Sequence, residues 1–460
     1  MAPDAASSSK TIRPKISLFP GLAELDAQKS ALKKSETRVR TRDGTIYVEK
    51  NAGRGGAERE PIAWAKRPQY ALDQEEGRSR LVPKIFDETL RRGRGGWRAL
   101  ERNDVFACSE SRSACDAHGI KIGAPITDAR LSVVSYNVWF EKRNQEARAQ
   151  AMFKILEESN AGIIALQEVT PDFLMWLRDE RWVQENYVLS DSVGTTLRGS
   201  ELTYGVITLV QKQVLVTSES GEGGVGFILH TLPTKMNRSV LVTEFSTGDV
   251  TWRVANTHLE SLDNSPTREK QLKIIFEILS GRNKGDARWE VNGKGDTNKC
   301  ASLLLGDLNF DANNLDMFPH EQAAIPVHYR DCWIEIHGVT SGGSSNDGIT
   351  VPVCDMSGGP VRIDQALLSS KVVRPILIAR LGMESFKSMG KAGSINSDVL
   401  SRNKNRQDPW IPSKPCFEKT KELKDIERMR ACSATLEKLY DELPSDHYGL
   451  MVVISSVEVE

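Results

Sequence analysis

The stretch Ala301–Asn309, ASLLLGDLN, constrains this chain more than any other. Ala301 to Leu305 reads as a short buried strand, and Gly306 then lets the chain turn. Asp307 and Asn309 follow immediately. A buried strand ending in a glycine and two polar side chains is how an α/β sheet delivers reactive groups to its carboxyl edge. An ordinary capping or Asx turn accounts for the same residues equally well. The balance shifts because several other runs end in the same way.

Leu131 opens the β-branched run LSVVS, which ends in Ser135-Tyr136-Asn137. Gly162 to Leu166 is a second apolar run, ending in Gln167-Glu168. Val250 to Asn256 delivers Thr257-His258-Leu259-Glu260-Ser261, and Ser445-Asp446-His447 precedes the apolar run Gly449 to Ile454. Helical spacing predicts helices over Glu141–Glu158, after a cap near Thr170-Pro171-Asp172, and over Ser265–Leu279 with Pro266 in its first turn. Further strands are expected over Tyr204–Val210, Val225–Thr231, Ser239–Phe245 and Val361–Leu368, the last carrying Arg362 and Asp364. Strands alternating with helices, with β-rich stretches between, predict an α/β (α+β) sandwich.

The flanking regions are different in kind. Residues 1–125 lack periodic apolar pattern and read as a basic, largely irregular N-terminal region, with 126–460 as the folded domain. One helix is expected there, over Val82–Arg92, ended by Gly93, Gly95 and Gly96. Residues 1–100 hold 21 Lys+Arg against 13 Asp+Glu, so a basic leader precedes an acidic body. Such a leader is an arm for polyanions, an address tag or a solvated tail. Residues 282–300 and 381–440 read as polar insertions, the second with a helix over Glu422–Leu439. Cys108, Cys115 and His118 lack a matching fourth zinc ligand and read as isolated groups. An odd number of scattered cysteines, 7, fits reduced thiols inside a cell better than a disulfide framework. The N-terminus has no apolar core of a secretory signal, and no apolar run reaches the ~18 residues of a membrane span.

Each polar strand end has an ordinary explanation. Asn137 can cap the following helix, Glu168 can be solvated, His258 can be a hydrogen-bonded core imidazole, and Asp446-His447 can be an exposed turn. Jointly they form a set suited to phosphate-ester hydrolysis. A hard cation such as Mg²⁺ takes one or two carboxylates, a place for Glu168. Attacking water needs a base and an orienting partner, which Asp307 and Asn309 supply. Charge building on the phosphoryl oxygens needs donors, available from His258, Asn137 and His447. Asp446 is expected to hold the neighbouring imidazole, and Arg238 and Arg268 to add phosphate contacts.

The ordered set SYN (135–137), LQE (166–168), NTHLES (256–261), GDLN (306–309) and SDH (445–447) resembles the endonuclease/exonuclease/phosphatase superfamily. Thr234-Lys235-Met236-Asn237-Arg238, Asp331-Cys332-Trp333, Arg362-Ile363-Asp364 and Tyr448-Gly449-Leu450 extend the likeness toward its tyrosyl-DNA phosphodiesterase 2 branch. It covers roughly residues 130 to 456. The resemblance implies a four-layer, deoxyribonuclease-like sandwich of two sheets with flanking helices, and dependence on Mg²⁺ or Mn²⁺. Carried over by position, Glu168 is the metal ligand and Asp307 the base. Asn309 and Asn137 orient nucleophile and phosphate, His258 and Ser261 hold the phosphate, and His447 stabilises the transition state with Asp446 behind it.

The activity so implied is hydrolysis of a 5′-phosphotyrosyl bond on DNA, a repair reaction of a nuclear, monomeric enzyme. Related substrates within the superfamily are a DNA end, an abasic site, an RNA tail or a phospholipid, and an inactive nucleic-acid-binding protein is the alternative of another class. Two departures stand out. Trp139 occupies the position where many relatives carry an aspartate, and residues 341–356 lack the tryptophan stretch of some relatives, leaving Trp410 to supply a stacking ring.

Overall fold

A computed structural model describes residues 36–40, 46–50, 59–61, 78–90, 95–101, 130–199, 203–216, 224–247, 250–281, 299–338, 348–352, 360–385 and 441–457. The chain divides into two compact units, Met1–Tyr70 and Ala71–Glu460. In the first, β1 (Glu36–Arg40), β2 (Ile46–Lys50) and β3 (Arg59–Pro61) form an antiparallel sheet in that order.

The second unit opens with β4 (Arg78–Leu81), β5 (Lys84–Asp87) and β6 (Gly96–Ala99). Next come β7 (Arg130–Asn137), α1 (Gln145–Ser159), β8 (Ile163–Val169), α2 (Pro171–Asp179), α3 (Arg181–Asn186) and β9 (Tyr187–Leu189). The strands β10 (Gly205–Gln211), β11 (Gly226–Thr231), β12 (Ser239–Thr247) and β13 (Val250–His258) lead to α4 (Ser265–Leu279) and β14 (Cys300–Asp307). Last are α5 (Pro319–Ala324), β15 (Arg330–Asp331), α6 (Cys332–His337), β16 (Asp364–Ser370), β17 (Val373–Leu381) and β18 (Gly449–Ser456).

These strands make two mixed sheets. One has 8 strands in the order β17-β18-β7-β8-β10-β9-β5-β6, the other 7 in the order β15-β16-β14-β13-β12-β11-β4. The parallel pairs are β7 with β8 and β13 with β14, joined through α1 and α4 respectively. Because parallel neighbours run the same way, both crossover units present the carboxyl ends of their strands together.

Packing follows the period of two along each strand. Leu131, Val133, Ile163, Ala165, Trp252, Val254, Leu303 and Leu305 meet between the sheets. The alternate residues Val134, Tyr136, Ile164 and Leu166 pack with Met152, Phe153 and Leu156 of α1 and with Phe173 and Leu177 of α2. Val240, Val242 and Leu304 pack with Leu272, Ile275 and Phe276 of α4. The result is four layers: helices, sheet, sheet, helices. Strands buried on both faces read as continuous apolar runs, which is why ASLLL carried so strong a signal.

Local chemistry sets the element ends. Thr170 Oγ accepts from the Phe173 amide at 3.2 Å and Pro171 begins α2, as its sequence predicts. Over Val82–Arg92 the expected helix is corrected: Lys84–Asp87 is a strand. It pairs with β6 and with β9, whose other side is taken by β10, while Phe86 meets Trp97 at 5.6 Å and Asp87 accepts from Arg98 at 2.6 Å. A short apolar run has no decisive period, and an open sheet edge settled the matter. Within the region assigned to 1–125, β4, β5 and β6 add to both sheets. Residues 282–298 and 386–440, with Trp410 and the helix expected over Glu422–Leu439, lie outside the described residues, as do Cys108, Cys115 and His118. Among the described residues no helix is long and apolar enough to cross a membrane.

Candidate active site

Along the inner faces of both sheets the apolar alternation turns polar toward one rim. Leu131 and Val133 are continued by Ser135 and Asn137, Trp252 and Val254 by Asn256 and His258, and Leu303 and Leu305 by Asp307. Register then aligns these ends across strands: His258 sits beside Asp307, and Asp307 beside Asp364. Gly306 permits the close approach. It has φ +139°, and a Cβ there would stand 1.9 Å from the Thr257 carbonyl oxygen.

The Asp307 carboxylate is the centre of the cluster. Its Oδ1 accepts from the Asn309 amide at 3.0 Å. Its Oδ2 accepts from Asn137 Nδ2 at 3.0 Å, with His258 Nε2 at 3.3 Å and His447 Nε2 at 3.8 Å. Asn137 is aimed by its own backbone neighbourhood, because Oδ1 accepts from the Trp139 amide at 3.0 Å and leaves Nδ2 for Asp307. Burial pushes Asp307 up to about 6, a basicity suited to accepting a proton from water near neutral pH. Asn309, at φ +55°, holds Asp307 through its backbone amide, and its Nδ2 donates to the Leu259 carbonyl at 3.0 Å.

The two imidazoles are in different states. Arg238 donates to His258 Nδ1 at 2.9 Å, so that nitrogen carries no proton and Nε2–H faces Asp307. Burial, Arg238 and His447 all lower His258, which is neutral. His447 is the reverse case. Burial opposes its charge, but Asp364, Asp446 and Asp307 override that and hold it well above the usual range. Its Nδ1 donates to Asp364 Oδ2 at 2.8 Å. This corrects the expectation for Asp446: the carboxylate behind the imidazole is Asp364, delivered from β16, whereas Asp446 bonds its neighbour Ser445 at 3.3 Å. An adjacent residue cannot turn its side chain onto its neighbour's ring as directly as a facing strand can. Asp364 was visible only as part of Arg362-Ile363-Asp364, with no signal for its role.

Glu168, the penultimate residue of β8, has φ +58°, a conformation rare for a residue with a long side chain. Its Oε2 accepts from the Phe140 amide at 3.0 Å, and burial together with Asp446 pushes it up to about 7. Its Oε1, His258 and Asp307 place one ligand atom each within 4.8 Å of one another. Of these, His258 Nδ1 is occupied by Arg238 and Asp307 is enclosed by donors, so Glu168 is the oxygen best placed for a cation. A carboxylate raised chiefly by burial, with Asp446 adding to it, is stabilised by a cation at its free oxygen, and the donor set fits a hard divalent ion.

Arg238 joins the cluster, bonding Tyr204 Oη at 3.2 Å and Ser261 Oγ at 3.4 Å as well as His258. Arg268 does not. It is buried in α4, paired with Glu321 at 2.7 Å and donating to the carbonyls of Glu260 and Leu262, so it braces the loop after His258. The sequence reading missed two rings. Phe140 and Tyr204 stack at 5.3 Å with a 14° angle, and Arg238 lies 5.6 Å from the Tyr204 centroid. Trp139, in the position expected to be acidic in relatives, is buried at φ +57° with the Arg148 guanidinium 4.3 Å from its ring.

The model of the Endonuclease/Exonuclease/phosphatase family matches residues 134–447. No curated protein matches the chain. Among solved structures it is similar to humanized D. rerio TDP2 with 14 mutations, at 17% identity and TM-score 0.43, covering 71% of this chain and 99% of that one. D. rerio TDP2 complexed with single strand DNA product aligns at 18% identity and TM-score 0.42, covering 71% and 98%. The human Nocturnin catalytic domain with bound sulfate anion aligns at 11% identity and TM-score 0.40, covering 72% and 96%.

Proposed function

Because the chain belongs to the Endonuclease/Exonuclease/phosphatase family, we propose that the rim cluster is the active site of a Mg²⁺- or Mn²⁺-dependent phosphodiesterase that opens 5′-phosphotyrosyl ends of DNA. One observation carries the reading. A raised, buried carboxylate is ringed by a neutral imidazole, a charged imidazole and an amide, with a cation-seeking glutamate opposite and an aromatic pair at its side.

Asp307 takes the proton of the attacking water, while Asn137 and His258 hold its Oδ2 in place. His447, charged, offers Nε2–H to the phosphoryl oxygen on which negative charge grows, and Asp364 keeps that proton on. Arg238 and Ser261 stand on the other side as phosphate contacts. A divalent cation held by Glu168 would supply Lewis-acid neutralisation of the phosphoryl oxygens. Phe140 and Tyr204 offer a flat apolar wall for the ring of an aryl leaving group or a terminal base. The enzyme works as a monomer on DNA and resides in the nucleus under this reading.

The test is a substrate panel with Mg²⁺: a 5′-phosphotyrosyl oligonucleotide, an abasic duplex, oligo(A) RNA and sphingomyelin. Cleavage of the phosphotyrosyl ester at the highest kcat/KM is expected. Preference for any other member would replace the substrate, and cleavage of none would remove the catalytic reading.

A further inference from the structure

Directly beneath the rim, the contact between the two sheets changes character. Asn256, from β13 of the 7-stranded sheet, is fully buried among groups of the other sheet. Its Nδ2 donates to the Ile207 carbonyl at 2.9 Å, the Leu166 carbonyl at 3.2 Å and Thr208 Oγ at 3.2 Å. Its Oδ1 accepts from Gln167 Nε2 at 2.9 Å, and that amide also reaches Ser135 Oγ at 3.2 Å. We infer that Gln167 and Asn256 are positioning residues, an amide bridge that sets the separation between the cation ligand Glu168 and the phosphate-side groups His258 and Asp307. The inference rests on the functional reading above for what that separation serves.

The argument is geometric. Glu168 belongs to one sheet and His258 and Asp307 to the other, so their spacing is the inter-sheet spacing at this level. Apolar packing, as in the layers below, fixes that distance only loosely, because it has no directional component. Hydrogen bonds have one. Asn256 lies two residues before His258 on the same face of β13, and Gln167 immediately precedes Glu168. In a regular strand Gln167 and Glu168 would face opposite ways. The positive φ of Glu168 breaks the alternation, and both side chains reach toward the second sheet. The amide bridge therefore also holds the chain at the start of a strained turn. Gln167 Oε1 is buried without a hydrogen-bond partner, a cost that an apolar side chain would avoid. Stability alone does not call for these amides at this place.

The experiment compares wild type, Gln167→Met and Gln167→Met/Asn256→Leu. The single variant leaves Asn256's three bonds to the other sheet intact, and the double variant replaces both amides by apolar groups, a change that cores tolerate. The double variant should keep a thermal midpoint close to wild type, and the single variant, which leaves the buried Asn256 Oδ1 without its donor, should melt a few degrees lower while remaining folded. Mn²⁺ affinity by titration calorimetry should weaken, and kcat should fall, by about 10–100-fold, with KM altered less. Wild-type Mn²⁺ affinity and kcat in Gln167→Met would overturn the inference, as would their recovery in the double variant. Wild-type protein that binds no Mn²⁺ and cuts no ester would sink the functional reading alone. The bridge would then be judged by hydrogen exchange at Glu168 and Val169: faster exchange in Gln167→Met supports it, and unchanged exchange overturns it.

Discussion

Asp307 and Asp364 face each other across β14 and β16, yet their surroundings give them opposite tasks. Burial raises Asp307 against the pull of the donors around it, whereas Asp364 accepts the Nδ1–H of His447 and stabilises that ring's charge. Asp307→Asn keeps the shape and removes the base, so kcat should drop by roughly 10²–10⁴-fold in steady-state assays while the unfolding midpoint holds. Undiminished kcat would sink the base assignment. Asp364→Asn acts through His447. Under the proposed mechanism the ring acts while protonated, and Asp364 is the first of the charges that hold it so against burial. Without that charge its pKa falls, so the alkaline limb of the kcat profile should move to lower pH. A profile that stays where it was would show that His447 does not act as the charged donor. Of these residues, Asp307, His258, Asn137, Glu168 and His447 were legible because polar groups at the ends of apolar runs are conspicuous. Asp364, Tyr204 and Phe140 were not, because their relevance arises only from what they face.

At the level of elements, the two βαβ units β7-α1-β8 and β13-α4-β14 do most of the positioning, since their strands end side by side at one rim. Gly306 is where β14 comes closest to β13. Gly306→Ala combines a positive φ with a Cβ driven into the Thr257 carbonyl, and should destabilise the fold by roughly 2–4 kcal/mol in urea unfolding. A loss under about 0.5 kcal/mol, the range of an ordinary surface change, would mean that β13 and β14 yield easily at that point. The helices and core strands were legible from periodicity, with Ser265–Leu279 matching to the residue. Lys84–Asp87 was misread because four residues carry too little pattern to separate helix from strand, and the open edge of β9 decided it.

For the whole molecule, the division at Tyr70 changes how the basic leader is to be tested. Residues 1–70 hold 14 Lys+Arg and 8 Asp+Glu, whereas Arg78–Leu81, Lys84–Asp87 and Gly96–Ala99 belong to the two sheets. Removal of residues 1–70, rather than 1–100, should therefore weaken DNA binding and flatten the dependence of log K on log salt, because fewer phosphate counterions are released. An unaltered salt slope would show that the leader makes no phosphate contacts.

The sequence by itself determined the layers, the rim and most of the reactive groups, because burial imposes a period and a polar residue that ends a buried run has few places to go. Tertiary structure decided the partnerships: Asp364 and not Asp446 behind His447, Arg238 and not Arg268 beside His258, and Tyr204 stacked on Phe140. Those choices depend on strand register and sheet spacing, which are properties of contacts between segments far apart in the chain and are written in no single one of them.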